Sequence, residues 1–194
     1  MSTVGIVCEY NPFHKGHLYQ IEQAKKLTKA DHVVCFMSGN FLQRGIPALA
    51  DKFTRAEAAI KCGVDVIFEI PFVYSTSSAR DYATAAVTMM DMSGAIDFIS
   101  FGAETDDLVL LSQIADIVEN EPPQVSDSIR RSVASGMTYG AARATAIEDY
   151  LQKKDIVRNN PSNSSSSVSK SNISSVMSSP NNILAIEYLA ALKR

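Results

Sequence analysis

The sequence has no surplus of basic residues: 18 Lys and Arg stand against 21 Asp and Glu, giving a formal net charge of -3 and a pI near 5.6. Holding nucleic acid through bulk charge takes many cations to displace counterions, so that mode is excluded for the chain as a whole and only a local basic patch is left open. Cysteine is scarce as well. Cys8, Cys35 and Cys62 stand in separate apolar or helical segments without a CxxC spacing, which points to neither a disulfide framework nor a zinc site and fits a reduced, intracellular protein. No apolar run approaches the roughly 18 to 20 residues that a membrane-spanning helix needs. The N-terminus also lacks the charged-then-apolar layout of a signal peptide, so no membrane association and a cytoplasmic location are expected.

What is present is ordinary globular composition, 46% hydrophobic and 20% charged over 194 residues, enough for one core with an appendage. Short β-branched runs recur at residues 4–7, 33–37, 64–70 and 96–101, separated or followed by helical spacing at 18–28, 51–62, 77–92 and 106–118. This alternation predicts an α/β fold with a parallel sheet covered on both faces. Such sheets bind ligands beyond the carboxyl ends of their strands, where the strand order reverses. Residues 8–17, 38–47, 71–79 and 102–105 fall there.

Pro122 and Pro123 end the alternation, and 125–134 and 139–153 read as helices punctuated by Gly136 and Gly140. Residues 159–179 are dominated by Ser and Asn, with too few large apolar groups to offset the entropy of ordering, and read as a flexible loop. Helical spacing resumes over 181–193 behind Pro180, with Asn181 as the expected N-cap. The expected organisation is an α/β core over 1–120, a helical annex over 121–158, the Ser-rich loop over 159–179 and a C-terminal helix over 180–194.

Two of the three histidines sit in "VCEYNPFHKGHLYQ", directly after the first apolar run. Asn11-Pro12 disfavours continued regular structure, so the strand should end near Glu9 or Tyr10 and a helix should begin around Gly16 or His17. His14 and His17 then flank a helix N-terminus, where unpaired N–H groups and the positive end of the dipole attract phosphate. Imidazoles beside it can donate to phosphate oxygens whose charge grows during phosphoryl or nucleotidyl transfer. Gly16 leaves room for a base or ribose to approach the backbone. The bland alternative is one histidine as a cap and the other half-buried. No Asp, Glu or Cys completes a metal-ligand set around the pair, so no metal site is expected.

HxGH after a first parallel strand resembles the nucleotidyltransferase superfamily that includes class I aminoacyl-tRNA synthetases and the pantetheine-phosphate and nicotinate-nucleotide adenylyltransferases. The fuller string "GIVCEYNPFHKGHLYQI" is similar to one family, the bacterial tRNA(Met) cytidine acetate ligases. So are "MSGNFLQRGIPALADKFTRAEAAIKCGVDVIFEIPF", "ISFGAET" and "PNNILAIEYLAALK" further along.

The resemblance implies a Rossmann-like parallel sheet of the HxGH type with a helical C-terminal annex. It implies an enzyme that activates acetate with ATP to acetyl-adenylate and passes the acetyl group to N4 of the wobble cytidine of elongator tRNA(Met). By that similarity His14 and His17 are the catalytic pair at the α-phosphorus. Val7, Cys8, Glu9, Tyr10, Asn11, Pro12 and Phe13 lead into the nucleotide site, and Lys15, Gly16, Leu18, Tyr19 and Gln20 complete its first wall. Gly102 would underlie the adenosine, and Asn181 or Asn182 would reach base or ribose. Mg2+ is expected with the ATP. Family members are longer, with a further C-terminal region associated with tRNA, so the ATP-binding catalytic half is what the resemblance covers. The alternatives are a small-molecule adenylyltransferase, for which Arg44 and Lys15 are the obvious phosphate donors, and a nucleotide-binding module without activity.

Among the other residues, Arg44 is a candidate for phosphate or acetate contact because its planar fork matches such oxygens, with a solvated surface residue as the alternative. Lys52 and Arg55, a turn apart, read as a solvated helix face. Glu69, in an apolar strand, calls for a structural ion pair. Glu104 reads as a cap or loop anchor, Cys8 as a small apolar residue ending a buried strand, and His32 as an exposed loop residue.

Overall fold

The computed structural model describes residues 1–158 and 170–194. By internal contacts the chain divides into two compact units, Met1–Gly102 and Ala103–Arg194.

The first unit runs β1 (Thr3–Cys8), α1 (Lys15–Thr28), β2 (His32–Ser38), α2 (Lys52–Lys61), β3 (Val66–Ile70), α3 (Phe72–Ser75), α4 (Ala79–Ser93) and β4 (Phe98–Ser100). The strands form one parallel sheet in the order β3-β2-β1-β4. The period-2 alternation of each strand decides which side chains meet which helix. Val4, Ile6 and Cys8 of β1 and Val33, Cys35 and Met37 of β2 share a buried cluster with Ile21 and Ala24 of α1 and Ala59 of α2. On the other face, Gly5 lies under Met90 of α4, whose sulfur is 3.0 Å from where a Cβ would stand. Both faces are thus covered, as the alternation predicts.

The sheet grows from β1 through β2 to β3 in one direction, and β4 joins on the other side of β1. The order therefore reverses at β1, and the crevice beyond the carboxyl ends of β1 and β4 is the place such a fold offers a ligand. Asp51 caps α2 by accepting from the amides of Phe53 and Thr54, and Ser78 caps α4 by accepting from Asp81. The single turn of α3 lies inside 71–79, which sequence reading treats only as a site loop.

Among the described residues the second unit is built of helices: α5 (Leu108–Asn120), α6 (Pro123–Ala134), α7 (Tyr139–Arg158), α8 (Lys170–Ser178) and α9 (Pro180–Ala191). Leu110, Leu111, Ile114, Ala115 and Val118 line one stripe of α5, and α5 packs against α9. That packing assigns α5 to the helical unit, so the division falls after Gly102 rather than near residue 120. An ion pair between half-buried Arg143 and buried Glu187, Nη1 to Oε1 at 2.8 Å, joins α7 to α9.

Two expectations for this region are corrected. Residues 170–178 form a helix rather than part of a flexible loop, because Ile173 and Val176 recur one turn apart and both are buried; 159–169 lie outside the described residues. The N-cap of α9 is Ser179 rather than Asn181, since Pro180 takes the N1 position that suits a residue without an N–H. Ser179 makes no side-chain cap bond. Glu104 supplies the acceptors instead, its two carboxylate oxygens taking the amides of Asn181 at 3.2 Å and Asn182 at 2.8 Å.

Candidate active site

β1 ends at Cys8, and the chain turns before re-entering helix at Lys15. Tyr10 makes that turn in the left-handed region, at φ 47°, and the Asn11-Pro12 peptide is cis. A non-glycine residue holds such a φ only when its surroundings fix it. Tyr10 is 1% exposed, with its hydroxyl 3.3 Å from Cys35 Sγ and its ring 4.9 Å from the rings of Phe13 and His17. Burial pushes both the Tyr10 hydroxyl and the Cys8 thiol above their ordinary values, so both stay neutral.

His14 is the N-cap of α1 and His17 its third residue. Each uses Nδ1 to accept a backbone amide: His14 from Gly16 at 3.1 Å, and His17 from His14 at 3.3 Å. A ring nitrogen that accepts a hydrogen bond carries no proton, so the neutral rings carry theirs on Nε2. The rings stack at 3.7 Å between centroids and 20° between planes. A Cβ on Gly16 would stand 3.0 Å from His14 Cε1, so a larger residue there would crowd the ring and shift it by a few tenths of an ångström. His17 is lowered to about 4 from 6.5 by burial and, secondarily, by the charge of His14. Two Nε2–H donors are thus fixed at the positive end of a helix, with His17 neutral, in a setting suited to phosphate oxygens.

The loops after β1, β2 and β3 are tied to one another. Glu9 Oε1 accepts from the Gln43 amide at 2.8 Å, Asn11 Oδ1 from Leu49 at 2.7 Å, and Gln43 Nε2 donates to Ser77 O at 3.1 Å. Arg44 sits exposed at the tip of the turn closed by Leu42 and Ile46, beside Gly45 at φ 74°. Lys15 is exposed at the start of α1. Gly102 follows β4, and a Cβ added there would meet nothing within 4 Å, so the backbone faces open space.

Lys52 and Arg55 are not a solvated face. Lys52 Nζ pairs with Glu69 Oε2 at 2.5 Å, which supplies the structural partner expected for Glu69. Arg55 is 2% exposed and spends its guanidinium on strand-end carbonyls. Its burial escapes sequence reading because the acceptors are main-chain groups up to 46 residues away.

In the second unit Asn182 is buried and its Oδ1 accepts from the amides of Glu104 at 2.8 Å and Thr105 at 3.1 Å, while Asn181 is exposed. Glu104 is the loop anchor expected of it. His32 opens β2 rather than lying in a loop, with Nδ1 3.6 Å from Asp65 Oδ1. Among the described residues no group of three His, Cys, Asp or Glu could hold a metal ion, and no helix is long and apolar enough to cross a membrane.

Known proteins resemble the chain along its whole length. The family described as HIGH Nucleotidyl Transferase matches residues 1–194. The tRNA(Met) cytidine acetate ligase of Caldanaerobacter subterraneus is 44% identical over the whole chain, which covers 44% of that protein; that of Halothermothrix orenii is 40% identical with the same coverage. The crystal structure of Thermotoga maritima TmcAL bound with alpha-thio ATP superposes with a TM-score of 0.88 at 36% identity, over all of this chain and 44% of that one. The chain therefore spans less than half the length of the relatives it matches. With the family match running from the first residue to the last, and the paired histidines held at the β1–α1 turn, the chain belongs to the HIGH nucleotidyl transferase family.

Proposed function

We propose that this chain is the ATP-binding, adenylate-forming part of a tRNA(Met) cytidine acetate ligase. The observation that carries the reading is the stacked pair His14 and His17, each with Nδ1 taken by a main-chain amide and Nε2–H left for a ligand at the N-terminus of α1. A carboxylate oxygen of acetate attacks the α-phosphorus of ATP, the bond to the β-phosphate oxygen breaks, and pyrophosphate leaves. The two Nε2–H groups donate to phosphate oxygens as negative charge accumulates on them. N4 of the wobble cytidine of elongator tRNA(Met) then attacks the acetyl carbon, AMP departs with the former acetate oxygen, and the amine loses a proton.

Residues 7–20 enclose the nucleotide, and the open face at Gly102 suits a flat adenosine. Arg44, at its turn tip, contacts phosphate or acetate. Magnesium travels on the phosphates of ATP; the described residues offer no ligand cluster for it, and no step is assigned to it.

The test is exchange of labelled pyrophosphate into ATP. Exchange that depends on acetate is expected, and His17→Ala should slow it by about ten-fold or more, the scale for losing one transition-state donor. Exchange that requires a nucleotide or pantetheine phosphate instead of acetate, or exchange unchanged in His17→Ala, would overturn the reading.

A further inference from the structure

Arg55 is the buried cation of the first unit, on α2 at 2% exposure. Taking a guanidinium out of water is costly unless its donors are met by well-placed acceptors. Here they are met by main-chain carbonyls. Nε donates to Ala50 O at 3.1 Å and Nη2 to Ser38 O at 3.1 Å; Nη2 also donates to Gly39 O and Nη1 to Glu9 O. Ser38 ends β2, and Glu9 is the first residue beyond β1. One planar fork therefore clamps the carboxyl ends of two adjacent parallel strands, where the ladder has run out and carbonyls would otherwise lack donors.

Both clamped ends lead into the candidate site. Glu9 immediately precedes Tyr10, whose left-handed turn swings the chain toward His14 and His17. Glu9 is held at two points, its carbonyl by Arg55 and its carboxylate by the Gln43 amide. Gly39 opens the 39–50 loop, which carries Arg44 and returns through Leu49 to the Asn11 side chain. Arg55 is thus the shared node of the histidine turn and the Arg44 loop.

We infer that Arg55 is a positioning residue for nucleotidyl transfer: by binding the carbonyls of Glu9, Ser38 and Gly39 it sets where the His14–His17 pair and the 39–50 loop stand. It touches no reacting atom. The inference rests on the reading that this turn handles ATP. The claim about position can be judged without ATP, because the His14 and His17 rings report it themselves.

Arg55→Lys keeps the charge and loses the fork. Imidazole 15N resonances of the chain without nucleotide should show His14 and His17 in the Nε2–H form in wild type, and a mixture of tautomers in Arg55→Lys once the amide-to-Nδ1 bonds loosen. ATP affinity by calorimetry should drop about ten-fold, and the rate of pyrophosphate exchange by up to about 100-fold, the scale that a misplacement of about 1 Å can cost. If Arg55→Lys does not fold, Arg55→Gly with added methylguanidinium decides: recovery with that ion and none with methylammonium supports the fork. Wild-type imidazole spectra and ATP affinity in a folded Arg55→Lys overturn the inference, as does equal or absent recovery of Arg55→Gly with the two ions. A wild-type chain that binds no ATP would sink the nucleotide reading alone, and the imidazole spectra would still decide the role of Arg55.

Discussion

At the scale of single residues, His17 links the architecture of the turn to pH. Its folded-state value of about 4 lies below the ordinary 6.5, because burial disfavours the cation and His14 lies stacked against it. Between those two values the unfolded chain binds a proton that the folded chain refuses, so stability drops as pH falls from about 6.5 toward 4. Protonation would also place a hydrogen on Nδ1, facing the His14 amide that it now accepts. Urea unfolding at pH 7.5 and pH 5 should therefore show a larger loss of stability in wild type than in His17→Gln; equal losses would mean that His17 is not held neutral by the fold. The motif "HKGH" made the two histidines visible in the sequence, because their chemistry and spacing are local. The burial of Arg55 is not legible there for the opposite reason: three of its four acceptors come from the ends of two strands or just beyond and lie 16, 17 and 46 residues away.

At the scale of elements, the strands and the helices of the sheet unit were legible because their periodicity is carried by apolar residues within each segment. Helix α8 was not. Its composition, KSNISSVMS, is that of a polar linker, and only Ile173 and Val176, with Met177 beside them, mark a face. Two buried residues a turn apart suffice once α7 and α9 supply the surface they pack on. Ile173, fully buried, should therefore behave as a core residue: Ile173→Ala is expected to cost about 2–4 kcal/mol in urea unfolding, whereas Ser174→Ala on the exposed side should change stability by less than about 0.5 kcal/mol. If both substitutions prove neutral, the segment is the loop that its composition suggests. The clasp at the start of α9 is half legible: Glu104 reads as an anchor, but its reciprocal bonds with Asn182 join residues 78 positions apart.

At the scale of the whole chain, the formal charge of -3 was readable at once, but the disposition of the cations was not. Lys52, Lys61, Arg130, Arg143, Lys193 and Arg194 each stand within 4 Å of a carboxylate. A lysine or arginine already neutralised by Asp or Glu gains less from a phosphate, because the carboxylate must be displaced or left facing the incoming anion. Affinity for RNA rises with the number of phosphates that cations neutralise, and the 18 Lys and Arg of this chain are outnumbered by its 21 Asp and Glu. The relatives it matches are more than twice its length, so the tRNA contacts of the ligase reaction need not come from these residues. Binding of tRNA(Met) to this chain, followed by fluorescence anisotropy at about 0.1 M salt, should accordingly be no tighter than the micromolar range of non-specific association, with a shallow dependence on salt. ATP affinity should be the same with and without tRNA. Nanomolar binding with a steep salt slope would reveal an RNA surface on the chain itself and put the recognition of tRNA in the same stretch of polypeptide as the proposed adenylate chemistry.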